Sequence, residues 1–438
     1  MSVLFVRMRI LSLAMLAIAT GCSTATPQSA EVDRGAPDAA TESPSGASII
    51  AIVDDNGALV TRLPDGSGEV EISGAPDVGS VATPVWSPDG SKLAWSVLTS
   101  LDDDARQPVI VVADADGANP IRTQTDELAF FLAWDPTATQ LATLGPGVSG
   151  QVDLGFVDGG GAATEDVASG RGLFVGWDVA GQSLAAHVGL DLEVIGASGA
   201  TVELSNPLGG FSAPTWLDES LFLVAVADPE AGQRLVAVDA AGVEAATYAA
   251  ARGLMRWTID DSRSRVALAV SAGVSIDPTP EVIPASVSAT APRATLAGID
   301  ADESLDTGLY LIDLADGSTE QLTTFPGLWW TFDASGDRLL VLEPLRDAPG
   351  TRWVVWEDGR RVFEGEPVGL TLAMRGAYVP FAAQWDASID LWSPTGDAFT
   401  YAAVDSAGIE TIWVQAVEEG AEPVSIGPGQ FSTWSPSG

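Results

Sequence analysis

Three residue types with distinctive chemistry are almost missing from this 438-residue chain, which has one cysteine (Cys22), one histidine (His187) and one lysine (Lys92). A single cysteine allows no disulfide within the chain, and tetrahedral zinc or thiol–histidine chemistry has almost no material to work with. Positive charge is scarce as well. Twenty Lys and Arg stand against sixty Asp and Glu, for a formal net charge of −40. A surface of that sign repels phosphate backbones, so nucleic acid is not expected as a partner. No segment carries a sustained 3.6-residue apolar period, which sets aside an α/β solenoid. What is abundant is glycine (46) and proline (27), spread evenly, as many tight turns require.

The first 22 residues, MSVLFVRMRILSLAMLAIATGC, place Arg7 and Arg9 before an apolar run from Ile10 to Ala19. That run is too short to span a bilayer and has the charge-then-apolar order of a secretory signal. It ends in Ala19-Thr20-Gly21-Cys22, which resembles a bacterial lipobox. The resemblance implies removal of residues 1–21 and acylation of Cys22; ordinary cleavage near Ala17-Ile18-Ala19 is the alternative. Each buried acyl methylene contributes about 0.8 kcal/mol, so two chains hold a protein firmly where one does not. Residues 22–47 contain no aromatic residue and one large aliphatic, Val32. They read as a flexible tether with a reach of roughly 25–30 Å. The expected location is extracytoplasmic, on a cell membrane through the lipid.

From residue 48 onward the chain repeats. An aromatic marker, a turn cluster and an apolar strand recur, as in VWSPDGSKLAWS (85–96), AWDPTATQLATL (133–144) and LWSPTGDAFTYAAV (391–404). The markers are Trp86, Trp134, Trp177, Trp216, Trp257, Phe332, Trp392 and Trp434, mostly 39 to 48 residues apart, with two longer gaps of 75 and 60. In Ser87-Pro88-Asp89-Gly90, proline presets the second turn position and glycine suits the fourth. A second hairpin completes each unit, clearest in GLYLIDLADGSTEQLT (308–323). Four short strands per forty-odd residues is the period of a β-propeller blade. The chain ends in TWSPSG, one strand and its turn, whereas residues 48–73 supply three strands with no marker before them. Together they make one blade. The expected fold is therefore an all-β propeller of eight four-stranded blades over residues 48–438, closed by the C-terminal strand pairing with N-terminal strands. Seven blades are the alternative, with Trp385 a rival marker to Trp392.

The WSPDG–strand–hairpin pattern at residues 86–90, and nearly so at 392–396 and 434–438, resembles the WD-type repeats of TolB-like bacterial propellers and related lipoproteins. That resemblance covers residues 48–438 and implies the fold more than any partner. No Gly-x-Ser-x-Gly elbow accompanies it, which sets aside a propeller-linked serine peptidase. His187 lies in an alternating strand and reads as structural. Asp54-Asp55-Asn56-Gly57 and Asp114-Ala115-Asp116-Gly117 look faintly like calcium loops, but hairpin turns explain both, and no metal or cofactor is expected. The insertion 275–306 reads as a decoration over one face. Trp329 and Trp330 are the candidate ligand patch among tryptophans outside the marker set. The function expected is a non-catalytic, membrane-anchored binding or scaffolding module, engaging an envelope protein or an extracellular ligand. The alternative is an extracytoplasmic enzyme, or the recognition half of one, that acts on glycan or peptide through carboxylates converging in the central channel.

Overall fold

The computed structural model describes residues 48–74, 76, 81–100, 106–162, 167–189, 191–196, 201–204, 212–272 and 304–436. Cys22, the tether and nearly all of the 275–306 insertion lie outside the described residues. The described residues form eight four-stranded antiparallel sheets. Blade 1 runs from the innermost strand Phe431–Trp434 through Ile50–Val53 and Leu59–Arg62 to Val70–Ser73. Blades 2 to 7 follow in chain order, with innermost strands Ala82–Trp86, Phe131–Trp134, Leu173–Trp177, Thr215–Trp216, Leu254–Ile259 and Trp329–Phe332. Blade 8 begins at Gly369–Leu370 and ends at Val424–Pro428.

Ring closure takes place in blade 1. Ile50 pairs with Trp434 and Val53 with Phe431, antiparallel and in register. The amide of Gln430 donates to the Val53 carbonyl at 2.8 Å, and that of Ser435 to the Ile49 carbonyl at 2.8 Å. All four residues of Ile50–Val53 are buried. Without Phe431–Trp434 this strand would present an unpaired apolar edge of the kind that seeds aggregation.

The marker turns explain how one blade grips the next. The Trp177 indole donates to the Ala133 carbonyl (3.1 Å), that of Trp216 to the Gly176 carbonyl (3.0 Å) and that of Trp392 to the Thr331 carbonyl (3.2 Å). In each case the acceptor immediately precedes the marker of the blade before. Trp86 closes the same relation across the seam by donating to the Thr433 carbonyl at 3.3 Å. In blades 2, 3, 4, 7 and 8 the marker is followed by a Ser or Asp whose side chain accepts backbone amides of the turn. Ser87 takes that of Lys92 (2.9 Å), and Asp135 those of Thr139 (2.6 Å) and Gln140 (2.9 Å). These are Asx- and ST-type turns. The turn glycine is constrained twice. Gly396 has φ +68, and a Cβ there would lie 2.6 Å from the Asp333 carboxylate of blade 7. Glycine alone meets both conditions without strain.

Two expectations change. Trp257 sits two residues ahead of the true marker position of blade 6. Ile259, paired with Val266 and followed by the capping Asp260, stands where the other blades have an aromatic residue. Trp257 lies on the same face because strand side chains repeat every second residue. Trp385 is not a rival marker, because it ends a helical excursion that the periodicity did not reveal. Blade 8 leaves its innermost strand after Leu370, passes through Met374–Tyr378, Val379–Phe381 and Ala382–Trp385, and returns at Trp392, which bridges to Phe399.

Candidate functional site: a cavity at the centre of the ring

The excursion from blade 8 crosses the central channel. Gln384 reaches blade 4, accepting from the Val175 amide (2.9 Å) and donating to the Val175 carbonyl (3.0 Å), so it satisfies one inner-strand residue twice. Trp385 packs against Phe131 of blade 3, with centroids 4.8 Å apart, and against Tyr378 at 5.1 Å. Tyr378 stacks on Phe431 of blade 1 at 4.1 Å with an interplanar angle of 14°. Thr258 of blade 6 donates its hydroxyl to Asp386. One short segment thus contacts the innermost strands of four other blades. An eight-stranded inner wall leaves an opening that its own side chains do not fill, and this segment fills part of it.

Above the segment is a cavity of about 500 Å³. Its walls carry the edges of marker residues, among them Trp134, Trp177 and Trp216, with Pro88, Pro136, Pro394 and Pro436 from the turns. Its floor is Ala383, Gln384, Asp386, Ala387 and Asp390. The turn position that follows the capping residue is proline in blades 1, 2, 3 and 8 and Ala334 in blade 7. Blade 6 has Asp261 there, also lining the cavity. Two residues on, where blades 2, 4, 7 and 8 place a glycine at positive φ and blade 3 has Ala138 at φ 56, blade 6 has Arg263 at φ 56. A left-handed arginine costs roughly 1–2 kcal/mol relative to glycine. Its guanidinium, which also borders the cavity, donates to the Trp216 carbonyl.

The electrostatics follow from this placement. Burial pushes the Asp386 carboxyl up to about 8; the nearby Thr331 hydroxyl opposes the rise, and the charges of Asp390 and Asp261 add to it. Burial followed by repulsion from Asp261 lifts Asp390 to about 7. Asp390 keeps an exposed surface within the cavity, so enclosure by the protein ring, not loss of all solvent, weakens its ionised form. Asp261 is also raised, by burial first, with Arg263 opposing and Asp260 and Asp333 reinforcing. The ion pairs among the described residues include none of these three acids. Asp386 Oδ1 is buried with no hydrogen-bond partner. Among the described residues no three acidic, histidine or cysteine side chains lie close enough to hold a metal ion together.

The sequence-derived candidates are placed differently. Trp329 is 0% exposed and Trp330 2%, so neither offers a ring face to a ligand, and the expected patch does not form there. Trp330 instead donates its indole to the Ala267 carbonyl of blade 6 at 3.1 Å. The markers Trp86, Trp134, Trp216, Trp392 and Trp434 are buried, and Trp177 and Phe332 are partly so. His187 is buried between the carbonyls of Ser212 and Gly189, and burial draws its pKa below the usual value. Asp54 serves a hairpin turn, accepting the amides of Asn56 and Ala58. Asp261, Gln384, Asp386 and Asp390 were not singled out from the sequence. The available signals were the long gap between Phe332 and Trp392 and the acid replacing proline in the turn of blade 6.

No protein-family model matches the chain, and no curated protein matches it. Solved structures do. A eukaryotic initiation factor superposes with a TM-score of 0.51 at 10% identity, covering 89% of this chain and 98% of that one. The β-propeller domain of the Trilobed protease from Pyrococcus furiosus gives 0.47 at 10% identity, over 80% of this chain and 98% of that one. TolB from Acinetobacter baumannii gives 0.40 at 13% identity, over 81% and 68%. At such identities the likeness concerns the fold. The class defined by the fold is the eight-bladed β-propeller, a scaffold that hosts many unrelated functions.

Proposed function

We propose that this chain is a non-catalytic binding module of the cell envelope, held outside the cytoplasmic membrane by lipid on Cys22, which receives a small ligand in the central cavity. The observation carrying the ligand reading is the segment across the channel, which turns an open passage into a floored cavity of about 500 Å³. That volume lies in the range that encloses small ligands, and apolar walls with a few converging polar groups are the usual make-up of such sites. The envelope reading is supported by the Arg7–Arg9 charge, the apolar run and the Ala19-Thr20-Gly21-Cys22 terminus of the signal.

A second reading is favoured by one specific feature. Acids with raised pKa values gather in the channel, as a carboxylate-dependent enzyme acting on glycan or peptide requires. The two readings separate in one experiment. Purified protein and an Ala387→Trp variant, which fills the cavity floor, are screened by thermal shift against small metabolites, and turnover of the hits is then followed. The binding reading expects ligands that stabilise the parent and not the variant, recovered unchanged. Turnover abolished by Asp386→Asn would favour the enzyme. Incorporation of labelled fatty acid into the parent but not into Cys22→Ser tests the anchor.

A further inference from the structure

Within the proposed ligand-binding reading, on which this rests, we infer that the cavity takes a small organic cation, an ammonium group carried on an apolar body. Two kinds of surface meet there. The floor and one side carry three carboxyls, Asp386, Asp390 and Asp261, and the walls carry tryptophan edges and proline rings. Among the described residues the one guanidinium bordering the cavity, that of Arg263, is committed to the Trp216 carbonyl. Asp386 Oδ1 is buried with no hydrogen-bond partner, and an ionised oxygen in that state is strongly disfavoured. A donor-rich cation in the cavity would supply the opposite charge that no ion pair among the described residues gives Asp386, Asp390 or Asp261.

The alternatives fit less well. A bare metal ion needs ligands converging within a coordination shell, and no such trio occurs among the described residues. An ammonium group tolerates wider spacing, because it donates in three directions and its apolar body occupies the remaining volume. An anion would face three acids.

Binding of such a cation is linked to protons. The groups facing the bound charge are Asp386 and Asp390 on the crossing segment, Asp260, Asp261 and Arg263 in the turn of blade 6, and Asp333 in that of blade 7. Near pH 5.5 Asp386 and Asp390 are largely neutral and offer little charge; near pH 8.5 both are largely ionised. Cation affinity therefore rises with pH, and binding near neutrality releases protons.

The test uses calorimetry on the full chain with benzylamine and 1,6-diaminohexane, against the neutral isosteres benzyl alcohol and 1,6-hexanediol, with glucose and hexanoate as further arms. The expected result is amine binding at pH 8.5 that weakens by about tenfold or more at pH 5.5 and in Asp390→Asn, with no binding of the isosteres. Repeating the titration in buffers of different ionisation enthalpy should reveal the released protons. Asp261→Asn, in an exposed turn position, gives a second variant should Asp390→Asn fold poorly. Equal binding of amine and isostere, or amine binding unaffected by pH and by both variants, overturns the inference. If glucose or hexanoate binds and Ala387→Trp blocks it, the cavity remains a binding site while the cation class is wrong. Failure of every probe removes the cation class, and the separate metabolite screen then decides whether the cavity binds anything.

Discussion

Replacing Asp386 by asparagine should make the fold less sensitive to alkali. In the folded protein the carboxyl is raised from its ordinary 3.8 to about 8, so the native state holds its proton over a range where the unfolded chain has released it. Where the native state binds more protons than the unfolded state, stability falls as pH rises. The penalty begins near pH 4, grows through neutrality and levels off above the folded pKa. A displacement of that size corresponds to at most about 5–6 kcal/mol at the alkaline limit. Asp386 is only partly buried and the cavity admits water, so roughly half of that, about 2–3 kcal/mol, is the realistic expectation. Asparagine is close in size and carries no titrating group. Denaturant unfolding followed by tryptophan fluorescence should show the variant within about 1 kcal/mol of the parent at pH 5 and about 2–3 kcal/mol more stable at pH 9. A variant–parent difference that stays the same at both pH values would refute the placement of this carboxyl.

Other outcomes follow from the turns and the seam. Removing residues 429–438 takes the innermost strand from blade 1 and exposes the edge of Ile50–Val53; the truncated chain should aggregate on refolding where the parent remains monodisperse by light scattering. Arg263→Gly should match or exceed Arg263→Lys in thermal stability, because glycine relieves about 1 kcal/mol of left-handed strain that lysine retains. The same Arg263→Gly change removes the charge that opposes the rise of Asp261, so the Asp261 carboxyl resonance should titrate at higher pH in the variant. Trp177→Phe loses the indole bond to the Ala133 carbonyl and should cost about 1 kcal/mol in denaturant unfolding; no loss would mean that this inter-blade contact carries no stability.

The ring was legible because its determinants are local and repeated. A marker, a capping Ser or Asp and a turn glycine recur within a few residues of one another, and the incomplete ends at residues 48–73 and 431–436 complement each other in register. Blade 6 was misaligned by two residues because Trp257 lies on the same strand face as Ile259 and supplies the indole bond to blade 5, at the Thr215 hydroxyl (3.0 Å), whereas Ile259 holds the position before the capping Asp260 without an aromatic ring. The site was not legible for a different reason. Asp261, Asp386 and Asp390 are three among sixty acids, and what distinguishes them is a crossing of the channel specified by contacts more than 100 residues apart, such as Gln384 with Val175 and Asp386 with Thr258. Helical turns this short leave no period to read. The expectation for Trp329 and Trp330 failed on the same ground. Aromatic character alone does not separate a ring facing solvent from one packed between blades.

Amide exchange at Val175 tests the central claim most directly, that the blade 8 segment spans the channel and floors the cavity. This N–H donates to Gln384 Oε1, so its protection depends on the crossing segment. The account predicts a slowly exchanging Val175 amide in the parent and a marked acceleration in Gln384→Ala, with neighbouring strand amides of blade 4 little changed. A Val175 amide that exchanges freely in the parent, or is equally protected in the variant, would contradict it.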